Sequence, residues 1–99
     1  MLHHIVTWKL AATDEATKAE HTQQIIDALS ALPAKIPEIK SFEVGRNIIE
    51  TPKSWDIGLT ATFDDVAGHD AYQVHPDHKA AGALVSSLAS DRTTIDFLA

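Results

Sequence analysis

Apolar and polar residues alternate over residues 2–10, which is the pattern of a β-strand with one buried face. The buried side would carry Leu2, His4, Val6, Trp8 and Leu10. The opposite side is mixed, with Ile5 among polar residues. The same alternation over residues 55–63 predicts the clearest strand of the chain, with Ile57 and Leu59 on its apolar side.

Between these two strands, apolar residues recur at helical spacing over residues 14–32 and stop at Pro33. Thr13 is the expected N-cap of this first helix. Residues 39–48 are compatible with a second strand, and residues 51–54 are typical of a turn.

The last third of the chain predicts a broken helix followed by a strand. Pro76 divides the helical region, because the residue before a proline is pushed out of the helical conformation. We therefore expect helical segments at residues 64–74 and 76–88, and a fourth strand at residues 93–98.

The resulting order, β-α-β-β-α-β, predicts an α+β fold of the ferredoxin-like type, formed by a single domain over residues 1–99. In this fold one four-stranded antiparallel sheet carries its helices on one face. The other face meets either water or the sheet of a second copy. We expect a homodimer joined through this helix-free sheet face, with a solvated monomer as the alternative.

Composition narrows the functional classes. The chain has 8 Lys and Arg against 14 Asp and Glu, so its formal net charge of -6 has the wrong sign for binding nucleic acid or an anionic membrane. No apolar run approaches the roughly 20 residues that span a bilayer, and the first residues do not have the pattern of a signal peptide. Without cysteine, disulfides, thiolate metal sites and cysteine nucleophiles are excluded. A cytoplasmic protein is expected.

Five short segments, in the same order along the chain, resemble the stress-responsive α/β-barrel domain family, also called the dimeric A/B barrel family. They are HHIVTWKL at 3–10, VGRN at 44–47, LTATF at 59–63, YQVHPDH at 72–78 and IDF at 95–97. The resemblance implies a ferredoxin-like protomer that pairs through its sheet into a dimeric barrel. Many members of the family have no assigned activity, some are linked to stress response, and a plant branch contains polyketide cyclases.

The segment YQVHPDH carries the candidate chemistry. Tyr72 and His78 match the catalytic pair of the cyclases, so the resemblance implies His78 as a general base and Tyr72 as a group that orients it or stabilises an enolate. From the residues alone, His78 is expected in the first turn of a helix, where the helix dipole and burial both favour a neutral imidazole. A ligand-binding cavity would be lined by His4, Trp8, Ile57, Leu59, Tyr72, His75 and His78.

Two functional hypotheses follow from this cavity. One is a small dimeric protein that binds an apolar or aromatic ligand without chemistry of its own. The other is a cofactor-free enzyme, cyclase-like or monooxygenase-like, in which Tyr72 and His78 transfer protons. We favour the first, because the chain has Ile57 where the cyclase branch carries a further pocket histidine. In a third interpretation, the tyrosine and histidines only satisfy backbone groups at the helix break.

No metal and no cofactor are expected. His75 and His78 do not make a complete ligand set, and the adjacent His3 and His4 face opposite sides of a strand. No glycine-rich phosphate loop is present.

Four further polar residues have expected positions. His21 and His69 lie on helices and are expected to face solvent. His3 could pair with Asp56 if the first and third strands are neighbours. Asp96 is expected at the interface or on the polar face of the sheet.

Overall fold

The computed structural model describes residues 1–99, which form four strands and three helices. The elements are β1 (Leu2–Leu10), α1 (Glu15–Ser30), β2 (Ser41–Arg46), β3 (Ile57–Phe63), α2 (Val66–Val74), α3 (Pro76–Leu88) and β4 (Ala89–Leu98). All strand pairs are antiparallel, and the sheet order is β2-β3-β1-β4. The predicted ferredoxin-like arrangement is confirmed, with the second helix divided in two.

The alternating pattern of β1 and β3 places their apolar residues on the side that the helices cover. The core on this side includes Val6, Ile25, Ile57, Leu59 and Phe63, which are 0–2 % exposed. Burial of this apolar surface is the main term that stabilises the fold. His4 lies in the same layer and is 2 % exposed, so a polar ring is enclosed within the core.

The predicted N-cap of α1 was wrong by one residue. Asp14, with an extended backbone, caps the helix, and its carboxylate accepts a hydrogen bond of 2.9 Å from the backbone N–H of Thr17. Both threonine and aspartate are good caps, but the charge of a carboxylate also interacts favourably with the positive end of the helix.

The helix-free face of the sheet leaves large apolar side chains in solvent. Ile95 and Phe97 on β4 are 59 % and 41 % exposed. Ile95 is directly opposite Ile5 on β1, and Phe97 stacks on the ring of His3 with 5.2 Å between the ring centroids. The face therefore carries a small apolar patch in the middle of polar residues.

The expected pair of His3 and Asp56 does not form. His3 is opposite Thr62 on β3, and Asp56 lies before that strand begins. Asp56 instead accepts a hydrogen bond from the backbone N–H of Leu10 at 2.8 Å.

None of the three helices is both long enough and apolar enough to cross a bilayer.

Candidate functional site

A cavity of about 260 Å³ lies between the helix-covered side of the sheet and the helices. Its apolar wall comes from β1, β3, α1 and α3 and includes Val6, Trp8, Leu29, Leu59 and Val85. Its polar groups come from His4, Tyr72, Gln73, His78, Ser86 and Arg92. Apolar surface combined with several polar groups that point into one cavity is typical of a small-molecule site.

Five of the seven residues predicted to bind a ligand lie in this wall: His4, Trp8, Leu59, Tyr72 and His78. Ile57 and His75 lie outside it. Ile57 is buried at the start of β3, and His75 lies at the break between α2 and α3.

His75 and Pro76 form the break between α2 and α3. His75 has the extended backbone that a following proline favours, and Pro76 occupies the first turn of α3. The Nδ1 atom of His75 accepts a hydrogen bond of 3.1 Å from the backbone N–H of Asp77. His75 is therefore the N-cap of α3, which accounts for its place in the motif.

His78 follows in the first turn of α3, and its two ring nitrogens have different environments. Its Nδ1 lies 3.3 Å from the backbone carbonyl of Gln73, to which it donates a hydrogen bond across the break. Nε2 is then the unprotonated nitrogen. Burial lowers the pKa of His78, and the hydrogen bond to Gln73 only partly opposes this effect. The neutral imidazole predicted from the sequence agrees with this direction.

Tyr72 packs against His78 from the last turn of α2. Their ring centroids are 4.2 Å apart, with the ring planes tilted by 50°. Tyr72 is 2 % exposed, and burial raises its pKa to about 12. Its hydroxyl therefore stays protonated at neutral pH and can donate a hydrogen bond into the cavity.

Asp96 is not where the sequence suggested, because it lies on the helix-covered side of the sheet. It is directly opposite His4 in the pairing of β1 with β4, and its Oδ1 is 2.6 Å from His4 Nδ1. Burial lowers the pKa of His4, although the contact with Asp96 opposes this shift. With Nδ1 bound to Asp96, Nε2 is the ring nitrogen of His4 that is available to the cavity.

His69 was expected to face solvent, and this prediction was wrong. Its side chain is 16 % exposed and lies beside Asp96, with 3.7 Å between His69 Nε2 and the carboxylate. The sequence did contain a signal, because His69 and Tyr72 are three residues apart on α2 and so share one helix face. His21 is also partly enclosed, and its Nδ1 is buried without a hydrogen-bond partner.

Comparison with known proteins assigns the family. The model of the stress responsive A/B barrel domain matches residues 2–99. The chain belongs to this family. A solved structure from Thermobifida fusca, described as a dimeric ferredoxin-like protein of unknown function, is 35 % identical, with a TM-score of 0.84 and coverage of 99 % of this chain and 90 % of that chain.

Two further relatives are similar over most of their length. A solved protein from Bacteroides fragilis, described as dimeric, of unknown function and with a ferredoxin-like fold, is 33 % identical, with a TM-score of 0.86 and coverage of 97 % of this chain and 93 % of that chain. An uncharacterized protein of Streptomyces coelicolor is 26 % identical over 91 % of this chain and 92 % of its own length. None of these three relatives is described with an activity.

Proposed function

We propose that this A/B barrel protein is a homodimer that binds a small aromatic or apolar ligand in the cavity between its sheet and its helices. The observation that carries the proposal is that one cavity reaches both Tyr72 and His78 as well as His4. These three polar groups can orient a ligand whose body is held by burial of its apolar surface against the apolar side chains of the wall.

The size of the cavity limits the ligand. A volume of about 260 Å³ falls below the range of about 300–1,000 Å³ that is usual for drug-sized ligands. A compound with a single ring fits this volume better than an extended polyketide.

Arg92 favours a ligand with an acidic group. It lines the cavity from β4, opposite Trp8, and takes part in none of the ion pairs of the chain. Its positive charge acts on His4, Tyr72 and His78 in the direction that lowers their pKa values. An aromatic carboxylate would place its ring against the apolar wall and its charge near the guanidinium.

Calorimetric titration with benzoate and benzyl alcohol tests the ligand class. We expect benzoate to bind more tightly than benzyl alcohol, and Arg92→Gln to remove that preference. Tyr72→Phe and His78→Gln should weaken both ligands, because each removes a polar group of the cavity. The matched control is His75→Asn, which keeps a good helix cap outside the cavity and should leave binding unchanged. Binding that is absent, or that is lost equally in the control, would rule out this cavity as the site.

The homodimer is proposed to form through the helix-free sheet face. The support is the exposed apolar patch of Ile95 and Phe97 on that face, together with the dimeric description of two relatives. Pairing two such faces would remove both side chains from water.

A second candidate function is proton transfer on a small β-keto compound. The observation that favours it is the packing of Tyr72 on His78 with Nε2 of His78 left free by the hydrogen bond of Nδ1. In this reaction Nε2 would take a proton from the carbon next to the carbonyl, and Tyr72 would donate a hydrogen bond to the enolate oxygen.

Exchange of that carbon-bound proton in D2O, followed by NMR, separates the two functions. An enzyme should accelerate the exchange, and His78→Gln should abolish the acceleration while leaving the fold intact. If acetoacetate binds without faster exchange, the protein is a binding protein and the second function is wrong.

A further inference from the structure

A polar cluster lies beside the cavity and shares only His4 with its wall. His4 on β1, His69 on α2 and Asp96 on β4 converge there, and one potential metal-ligating atom from each lies within 4.8 Å of the other two. These residues are far apart in sequence and come from three different elements. Two imidazoles and one carboxylate form a donor set that binds divalent transition metals in proteins.

The distances in this cluster suit a metal ion. Ligand atoms held about 2.1 Å from a tetrahedral ion are separated from one another by about 3.4 Å. In the structure, Asp96 Oδ1 lies 2.6 Å from His4 Nδ1 and 3.7 Å from His69 Nε2. One of these distances is shorter than the ideal separation and the other is longer, and each differs from it by less than about 1 Å.

The hydrogen bond to His69 fixes which of its nitrogens could bind a metal. The side-chain amide of Gln73 donates to His69 Nε2 at 3.1 Å, so that nitrogen carries the lone pair and Nδ1 carries the proton. A metal must displace the Gln73 amide from this lone pair. Nδ1 lies 3.9 Å from the carboxylate of Asp70. A carboxylate that accepts a hydrogen bond from the proton-bearing nitrogen often orients a metal-binding histidine, and Asp70 would have to move closer to make this bond.

We propose that His4, His69 and Asp96 bind one divalent transition-metal ion of the zinc class beside the cavity. His4 would then bind the ion through Nδ1 and carry its proton on Nε2. Three protein ligands leave at least one coordination position open, as in zinc sites that also bind water or a substrate. The ion needs none of the groups of Tyr72, His78 or Arg92, so the metal site shares only His4 with the proposed organic-ligand site.

The sequence predicts no metal site, because neither pair of histidines close in sequence, His3–His4 or His75–His78, makes a complete ligand set. Neither pair forms the cluster. The structure supplies the missing ligands from α2 and β4. The hydrogen bond between His4 and Asp96 is the competing state of the same residues, and the metal must displace it.

Titration of untagged, chelator-treated protein with Zn²⁺ and Co²⁺ tests the site. We expect one ion per chain, a visible Co²⁺ absorption spectrum typical of low coordination number, and a Zn²⁺ affinity at least 100-fold weaker in His69→Gln and in Asp96→Asn. The controls are His21→Gln on α1 and His75→Asn at the break between α2 and α3, which remove two histidines outside the cluster. They should bind Zn²⁺ like the wild type.

A second measurement uses only the wild-type protein, in case a variant does not fold. Diamagnetic Zn²⁺ should shift the imidazole NMR signals of His4 and His69 strongly and leave those of His3 and His75 nearly in place. No binding at millimolar Zn²⁺, or binding that the controls weaken as much as His69→Gln does, would overturn the proposal and leave the cluster as a hydrogen-bond network.

Discussion

Asp96 Oδ1 lies 2.6 Å from His4 Nδ1, although the two residues are 92 positions apart in the chain. The contact joins the edge strand β4 to the central strand β1 on the helix-covered side of the sheet. His4 is buried, while the side chain of Asp96 is one-third exposed, at 33 %. The contact therefore stabilises the edge strand in a partly screened environment.

We expect Asp96→Ala to lower the free energy of unfolding by about 1 kcal/mol, because it leaves His4 Nδ1 without its partner. Urea unfolding in the presence of a chelator measures this value without a metal contribution. Asp91→Ala is the control, since Asp91 is exposed on the same strand and makes no ion pair. Equal effects of the two substitutions would show that the His4–Asp96 contact contributes nothing specific.

The lowered pKa of His78 makes stability depend on pH. In the unfolded chain His78 has a pKa of about 6.5, and burial places the folded value below this. The unfolded chain therefore binds the extra proton first as the pH falls. The contribution of His78 is fully present above the unfolded pKa and is lost as the pH falls toward the folded pKa.

Urea unfolding at pH 7.5, 6.5 and 5.5 measures this dependence in the wild type and in His78→Gln. We expect the variant to lose less stability over this range. Burial also lowers the pKa of His4, which remains in both proteins and supplies the shared part of the change. A histidine signal assigned to His78 that titrates at or above about 6.5 would contradict the prediction.

Tyr72 can be titrated directly, because it is the single tyrosine of the chain. Its phenolate absorbance should remain absent in the native protein up to pH 11, consistent with a pKa of about 12. In urea the midpoint should be about 10. Since the unfolded form loses its proton first, stability should fall as the pH rises above the unfolded value. A native midpoint equal to that in urea would show that the ring is solvated.

The cap of α1 gives a matched pair of substitutions. Asp14→Ala removes the acceptor for Thr17 N–H and should lower the thermal midpoint, whereas Thr13→Ala should change it little. The effect of Asp14→Ala should disappear at a pH low enough to protonate the carboxyl in the wild type. The opposite order of the two variants would restore Thr13 as the cap.

Disruption of the apolar patch tests the proposed dimer. Phe97→Glu and Ile95→Glu place a charge on the helix-free face, where burial against a second copy would leave it without water. Light scattering at micromolar concentration should give the mass of two chains for the wild type and of one chain for the variants. Val74→Glu is the control, because Val74 is 65 % exposed on α2, away from that face. A wild type of single-chain mass would contradict the dimer.

The sequence predicted β1 and β3 well because each has one buried and one open face, which produces a strict alternation. The edge strands were predicted less accurately. β4 begins at Ala89, four residues before the prediction, and nearly all its residues are exposed on both faces. Because such a strand has no buried face, its apolar and polar residues do not alternate in a way that indicates where it begins.

In the candidate site, contacts between residues close in sequence were predicted, and contacts between distant residues were missed. Tyr72 and His78 could be placed together because a single helix break joins them. The partnership of His4 with Asp96 depends on the register of β1 against β4, and the position of His69 depends on how α2 packs on the sheet. Neither relation is encoded at short range, so pattern analysis missed both.

Two polar pairs of the candidate site, Tyr72 with His78 and His4 with Asp96, are expected to form at different stages of folding. Tyr72 and His78 are separated by one short turn, so their packing requires the closure of only a small loop. The pair of His4 and Asp96 requires the first and last strands to meet, which is among the contacts of greatest sequence separation in the chain. We expect Tyr72 and His78 to pack together early during folding. The pair of His4 and Asp96 should form only when β1 and β4 have paired in the correct register.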